Sequence, residues 1–510
     1  MRFAVRTLCL AAFTASVGCA SLPDNATRVP DYAPAAANYG PLADYGRRIA
    51  GMLDTGESAH WLLDRNQLAL TARLALADEA AATLDVQYFI WQDDSTGYLL
   101  ASHLLAAADR GVKIRLLLDD FTIASARGDI VRLDAHPNIE VRTFNPWTSR
   151  GSRVGTAAEF LVHPHTLNRR MHNKTFIADK RFAILGGRNI GDRYFGVYKP
   201  FVQNDLDVLV AGPAVDEVTT TFDAFWNSEH SFAVARFARD ARPRRPIEET
   251  RSELHAVLAG KVETLESFPL EPANWSDYLE ELVDSFAVGK TRVLWESPDI
   301  LDSSRPRLEE ELTELVATAR REVLISSPYF IPDETFRVLL AQLVARGVRV
   351  AVLTNSLATN NHVVAHTGYR RWRREMLAAG VELYELRADA KAKQLYATPP
   401  ALPDALGLHT KAVVIDGERV FIGSPNVDPR SLVLNTEIGI ASEGAPLAAR
   451  LEELLRRDMA PANAWRVTMD EEGWLEWSTG EDVLRRQPAK GFRQRVIEFL
   501  LNLLPLKNQA

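Results

Sequence analysis

Hydrophobic and polar positions follow the same order in two separate parts of the chain. In the first, Leu84 to Trp91 (LDVQYFIW) is patterned as a strand, Tyr98 to Asp109 carries apolar residues at helical spacing, and Gly111 to Asp119 (GVKIRLLLD) is an almost unbroken apolar run. Glu322 to Ile331 (EVLISSPYFI), Glu334 to Ala345 and Gly347 to Thr354 (GVRVAVLT) repeat that order. Tyr-Phe-Ile recurs at Tyr88 and Tyr329, and Arg-Gly-Val at Arg110 and Arg346, so the copies run in near register. Each half therefore opens as β-α-β. Strands that are apolar on both faces belong to parallel or mixed sheets covered by helices, which predicts an α/β fold of two homologous halves.

The rest of the chain divides around those halves. Residues 45–238 and 291–460 are read as the two domains, 239–290, with its charge- and proline-rich ARPRRPIEET, as a partly helical connection, and 461–510 as a C-terminal tail. Within the tail, Gly491 to Leu506 (GFRQRVIEFLLNLLPL) has a basic start and an apolar end, which suits a helix packed on the body or lying on a membrane surface. At the other end Arg2 and Arg6 precede an apolar run, Thr7 to Val17, followed by small residues and Cys19. That run is shorter than the roughly 20 residues that span a bilayer, and 1–18 reads as an export signal. Cys19-Ala20-Ser21 resembles a bacterial lipoprotein cleavage site with Cys19 lipidated, although Ser16 stands where leucine is usual. Residues 19–44, rich in Ala, Pro and Asp, follow as a linker. The expected location is the cell envelope, exported and membrane-anchored.

Composition narrows the field further. Of 510 residues 46% are hydrophobic and 25% charged, which suits a globular chain and excludes a fibrous or disordered one. Cys9 and Cys19 are the only cysteines, so the folded body has no disulfide framework and no thiolate metal site. With 59 basic and 67 acidic side chains the net charge is −8, and no nucleic-acid partner is expected.

The candidate chemistry lies in a second repeat. His172-Asn173-Lys174-Thr175-Phe176-Ile177-Ala178-Asp179 is followed by Gly186-Gly187-Arg188-Asn189, and His409-Thr410-Lys411-Ala412-Val413-Val414-Ile415-Asp416 by Gly423-Ser424-Pro425-Asn426. In both, Lys follows His by two residues, Asp by seven, the first Gly by fourteen and Asn by seventeen. A chance match to His-x-Lys-x4-Asp is expected on the order of 0.01 times in such a chain, so a duplicate in register is no accident. In a strand, residues i and i+2 share a face, and each motif offers an imidazole beside an ammonium. One half provides half a site. Two lysines and two asparagines facing one another make a cradle for a tetrahedral anion. Histidines on either side of a phosphorus can then attack it and protonate the departing oxygen. Such a centre needs no metal and no cofactor.

This duplicated motif is similar to that of the phospholipase D superfamily, over roughly Leu62 to Arg457, and YFIWQDDSTGYLL, RGVKIRLLLDD, SSPYFIPDE and TNSLATNN resemble bacterial cardiolipin synthases. The resemblance implies one active site at a pseudo-two-fold seam between the halves. It implies His172 as nucleophile and His409 as general acid, with the opposite assignment open. Lys174, Lys411, Asn189 and Asn426 become phosphate ligands, and Ser424 a further phosphate-side hydroxyl that the first copy, with Gly187, lacks. In the family an acidic residue further on holds each histidine and favours its protonated form. Glu437 matches the second of these acids and Asp205 the first, with Asp207 as rival. Asp179 and Asp416 are expected to brace their loops. The implied activity is phosphatidyl transfer through a phosphohistidine, with phosphatidylglycerol as acceptor and phosphatidylglycerol or phosphatidylethanolamine as donor, giving cardiolipin. With water as acceptor it becomes phospholipase D hydrolysis. The superfamily also holds nucleases, which the lipoprotein-like start and acidic balance oppose, while two intact motifs oppose a non-catalytic envelope protein.

Other residues carry weaker signals. His163 and His165 precede the first motif, and His362 and His366 have the spacing of a helical metal pair but no third ligand type nearby. His366 also resembles a residue bordering the family's pocket, which makes it a candidate substrate contact. Asp93, Asp94, Arg170 and Arg188 are candidates for the entrance. Tyr88, Phe89, Tyr329 and Phe330, on predicted strands, are read as core.

Overall fold

A computed structural model describes residues 22, 25, 29–121, 129–147, 169–236, 246–299, 307–360 and 362–502. The export signal, Cys19, His163 and His165 lie outside these. In the first half the strands are β1 (Glu57–Leu63), β2 (Thr83–Tyr88), β3 (Lys113–Asp119), β4 (Ile139–Phe144), β5 (Thr175–Ala178), β6 (Phe182–Gly186), β7 (Val202–Asn204), β8 (Asp207–Ala211) and β9 (Ser231–Ala233). In the second they are β10 (Ala287–Trp295), β11 (Glu322–Ser326), β12 (Arg349–Asn355), β13 (Glu382–Leu386), β14 (Leu406–Leu408), β15 (Ala412–Ile415), β16 (Arg419–Gly423), β17 (Ile438–Glu443), β18 (Ala464–Met469), β19 (Leu475–Ser478) and β20 (Val483–Leu484).

All but β7 and β14 join one sheet. From one edge to the centre it runs β9-β4-β3-β2-β5-β6-β8-β1. It crosses to β10 and continues β17-β16-β15-β11-β12-β13-β18-β19-β20. Read outward from the β1–β10 junction, both wings have the same order. A pseudo-two-fold axis therefore passes between those strands, where Ala59 faces Val288. The β-α-β strands outside the motif strands, β2-β3-β4 and β11-β12-β13, are parallel, and the motif strands beside them are antiparallel. β7 and β14 pair separately, parallel and across the seam, with Asn204 opposite Leu408.

The parallel strands are largely buried, with polar residues such as Asp85 and Arg115 paired with one another, because helices cover both faces. Helix Ser95–Asp109 begins where the Asp94 carboxylate accepts from the N–H of Gly97 at 3.2 Å, and helix Glu334–Ala345 where Asp333 accepts from Phe336 at 2.8 Å. Packing divides into three cores. One lies in each wing, and a third is shared across the seam, where Phe222, Phe225 and Trp226 of helix Ala214–Trp226 and Leu447, Leu451 and Leu454 of helix Ala445–Met459 meet strands of both halves.

Several boundaries differ from the sequence reading. β2 and β11 stop at Tyr88 and Ser326, short of the expected Trp91 and Ile331, because the chain leaves the sheet where it lines the site. The connection 239–290 is not a separate piece: its helix Ile247–Ala259 buries Leu254 and Leu258 in the first core, and β10 begins within it at Ala287. The body extends past 460, since β18 pairs with β13 as β9 pairs with β4. The linker docks before residue 44: the N–H of Ala33 donates to Asp223, that of Ala37 to the carbonyl of Asp179, and a helix starts at Pro41. Among the described residues no helix is long and apolar enough to cross a membrane.

Candidate active site

Each histidine is placed by an extended lead-in rather than by the strand itself, since β5 and β15 begin only at Thr175 and Ala412. The lead-ins are held alike. Asp119, ending β3, accepts from the N–H of Met171 at 2.9 Å, and Asn355, ending β12, accepts from the N–H of Leu408 at 2.9 Å. Across the seam the N–H of His172 donates to the carbonyl of Thr436 at 2.9 Å, and that of His409 to the carbonyl of Asn204 at 2.7 Å. Thr436 and Asn204 are the residues just before Glu437 and Asp205.

This backbone exchange decides the side-chain pairing. Nδ1 of His172 donates to both oxygens of Glu437, at 3.0 and 2.8 Å, and Nδ1 of His409 to Asp205 at 2.5 Å. The acid for each ring comes from the opposite half. The expected pairing, Asp205 with His172 and Glu437 with His409, is corrected for both rings: each acid serves the histidine of the other half, because the residue before it, Asn204 or Thr436, holds that histidine's backbone. Asp207, the rival to Asp205, is committed elsewhere, to Arg73 at 2.8 Å and to the backbone N–H of Arg188 at 3.1 Å.

Both rings are buried, and their Nδ1 bonds leave Nε2 as the nitrogen available for chemistry. Burial pushes each imidazole down to about 4; the facing carboxylates oppose this, while Lys174 and Lys411 reinforce it. The carboxylates orient the rings and favour their protonated forms, as expected, against the burial that disfavours them. Burial raises the pKa values of Asp205 and Glu437, but the imidazoles and lysines outweigh it and leave both below the usual carboxylate range. Burial also lowers the two ammoniums, Lys174 to about 7 and Lys411 to about 8. Each Nζ donates to the carbonyl of its own histidine at 2.5 Å, and each lysine feels the carboxylates of both halves. The two motifs thus share one electrostatic centre.

The remaining motif residues take varied places. Asn189 accepts from the N–H of Ile90 at 3.1 Å and donates to the Tyr194 hydroxyl at 3.3 Å, while buried Asn426 donates to Asp428. The Ser424 hydroxyl donates to Glu437 at 2.5 Å and accepts from the N–H of Ile438 at 3.0 Å, so it holds the carboxylate that orients His172. At Gly187 a Cβ would stand 2.2 Å from Oδ1 of Asp205, so a serine there would have to displace that carboxylate. Asp179 accepts from the N–H groups of Ala81, Ala82 and Thr83 at 2.7–2.9 Å, and Asp416 from those of Arg320, Arg321 and Glu322 at 2.7–3.2 Å. Each pins the entry to a wing's first β-α-β strand, and neither reaches the imidazoles.

Two aromatic residues complete the walls. Phe89 meets the His172 ring edge-on at 5.0 Å, and Tyr194 meets His409 at 5.3 Å. Phe89 was expected in the core, but its strand ends one residue earlier. Tyr88 and Phe330 are core, and Tyr329 lies 5.6 Å from the His362 ring. No sequence signal marks Tyr194, because the second copy has no counterpart. Asp94 caps a helix, Arg188 is buried beneath Leu63 and Asp205, and Arg170 approaches Asp119 at 3.4 Å. His366 is buried on helix Val363–Ala378 with Gln487 3.3 Å away.

Comparison with known proteins agrees with this geometry. Residues 74–226 and 312–459 match the family model described as cardiolipin synthase, PLD-like domain. Over 480 residues the chain is 37% identical to cardiolipin synthase C of Escherichia coli K12, covering 89% of this chain and 96% of that one. It is 27% identical over 403 residues to cardiolipin synthase A of Pseudomonas entomophila, covering 79% and 68%. A phosphatidylserine synthase from Haemophilus influenzae superposes with a TM-score of 0.54 at 15% identity, over 81% of this chain and 91% of that one, which shows a common fold.

Proposed function

The chain belongs to the cardiolipin synthase family of PLD-like proteins, and on that premise we propose that it joins two phospholipids by phosphatidyl transfer. The observation that carries this reading is the crossed pairing of His172 with Glu437 and His409 with Asp205 around two buried lysines. It supplies two oriented imidazoles and a cationic cradle in one centre. A phosphodiester seated between the lysines adds a negative charge, which raises the pKa of both rings and lets His409 carry a proton. Nε2 of His172 attacks phosphorus, the phosphorus–oxygen bond to the headgroup alcohol breaks, and His409 protonates the leaving oxygen. His409 then takes the proton of an incoming hydroxyl, which attacks phosphorus and releases His172.

Phosphatidylglycerol is the proposed acceptor, with phosphatidylglycerol or phosphatidylethanolamine as donor and cardiolipin as product. Exclusion of water favours transfer over hydrolysis, and the burial of both rings supports it. Incubation with labelled phosphatidylglycerol, with and without phosphatidylethanolamine, tests this. Cardiolipin is the expected product, whereas phosphatidic acid alone would make the protein a phospholipase D. Export and lipid attachment at Cys19 complete the proposal, supported by Arg2, Arg6 and the apolar run before the cysteine. Labelled fatty acid should enter the protein and be lost in Cys19→Ser.

A further inference from the structure

The C-terminal helix Phe492–Asn502 packs through one face only. Glu498 is buried and pairs with Arg370 at 2.7 Å, and Gln494 donates to the carbonyl of Leu357 at 2.6 Å. Phe492, Val496, Phe499 and Leu500 are exposed, by 82, 38, 60 and 55%, with Ile497, 39% exposed, beyond Arg493. At about 100° per residue these four fall within one arc of roughly 100° on the side opposite Gln494 and Glu498, and Arg493 and Arg495 flank that arc on either edge. Apolar residues bordered by guanidiniums are the pattern of a helix lying in a membrane interface, where long basic side chains reach out to headgroup phosphates.

Charge and position both favour that occupant. The chain as a whole is −8, yet Arg485, Arg486, Lys490, Arg493 and Arg495 crowd this segment, and its one acid up to Leu500, Glu498, is already paired. The segment is strapped to the rim beside the candidate site. Pro488 accepts from the N–H of Ala358, three residues beyond the Asn355 that positions Leu408 next to His409. Lys490 lies over the Phe201 ring of the first half, immediately before β7.

We propose that this helix docks the protein on an anionic lipid surface, setting the rim of the catalytic seam against the bilayer that holds its substrate. The inference rests on the lipid reading of the site. It is tested with the full chain carrying Cys9→Ser, Cys19→Ser and Val496→Cys, labelled at 496 with an environment-sensitive fluorophore. A blue shift is expected on adding phosphatidylglycerol vesicles, smaller with phosphatidylcholine vesicles or in high salt; no shift with either vesicle overturns the proposal. A shift in response to soluble protein from the envelope but not to vesicles would assign the face to a protein partner instead. In the second arm Phe492→Glu/Phe499→Glu should lower turnover of vesicle phosphatidylglycerol about tenfold or more, while turnover of a dispersed short-chain analogue stays unchanged. Equal loss on both substrates, or loss on neither, counts against docking. If the unaltered protein turns over neither substrate, the lipid reading of the site fails while the fluorescence still reports on the helix.

Discussion

His172 leans on Glu437, whose carboxylate also accepts from Ser424, whereas His409 leans on Asp205, whose oxygen fills the space that a side chain at Gly187 would need. The acid longer by one methylene is steadied by a hydroxyl, and the shorter acid by the backbone N–H of Leu206. The main chain around the two rings is otherwise equivalent, down to the bonds from His172 to Thr436 and from His409 to Asn204. Duplication has supplied equal positions, and a few side chains have made them unequal. Unequal steadying is what two rings with different tasks require, one attacking and the other moving a proton.

The widest separation of the halves should come from the histidines. His172→Ala should cut turnover by about 10⁴-fold or more and abolish the covalent phosphoenzyme. His409→Ala should cut overall turnover comparably, yet still form phosphoenzyme from a substrate whose leaving group needs no proton. If labelling shows the reverse, the two roles exchange. Next come the carboxylates: Glu437→Gln and Asp205→Asn should each cost about 10²- to 10⁴-fold. Single-turnover kinetics should show Glu437→Gln slowing phosphoenzyme formation and Asp205→Asn slowing proton delivery.

Smaller effects test the steadying groups. Gly187→Ser should displace Asp205 and lower activity about 10²-fold, and the double change Gly187→Ser/Asp205→Glu, which copies the second half's arrangement into the first, should recover part of it. Ser424→Ala should cost about tenfold, the worth of one hydrogen bond to a charged group. A pH profile compares the lysines. Their values are lowered to about 7 and 8, so the positive charge that attracts the phosphodiester is present below these values and lost as pH rises through them. kcat/KM should therefore fall from about pH 7 to 9, where lysines at the ordinary value would leave it flat. The least effect on chemistry is expected from Asp179→Ala and Asp416→Ala. Each should cost about 2–3 kcal/mol of stability, more for the better buried Asp179, with the folded fraction still active.

Much of this was legible in the chain because duplication left two readings of each element. The spacing from His172 to Asn189 repeats from His409 to Asn426, and the helix at Glu334–Ala345 matches its pattern to the residue. What could not be read depends on which half's loop reaches the seam. The crossing of Glu437 and Asp205 follows from hydrogen bonds between residues more than two hundred positions apart, and local pattern carries no trace of them. Ser424 shows a related limit: beside a phosphate motif a hydroxyl reads as a ligand, and only the fold shows its hydrogen bond to Glu437. Phe89 was assigned to the core because aromatic residues on apolar strands are usually buried, and a strand's last residue cannot be located from periodicity alone.

The unbroken ladder through β1 and β10 bears on how reactants come and go. Hinged enzymes open like a shell, but here that motion would tear hydrogen bonds at the middle of the sheet and split the apolar core shared beneath it. The body must behave as a stiff plate. Any opening for reactants must then come from the loops, which can shift without breaking that ladder.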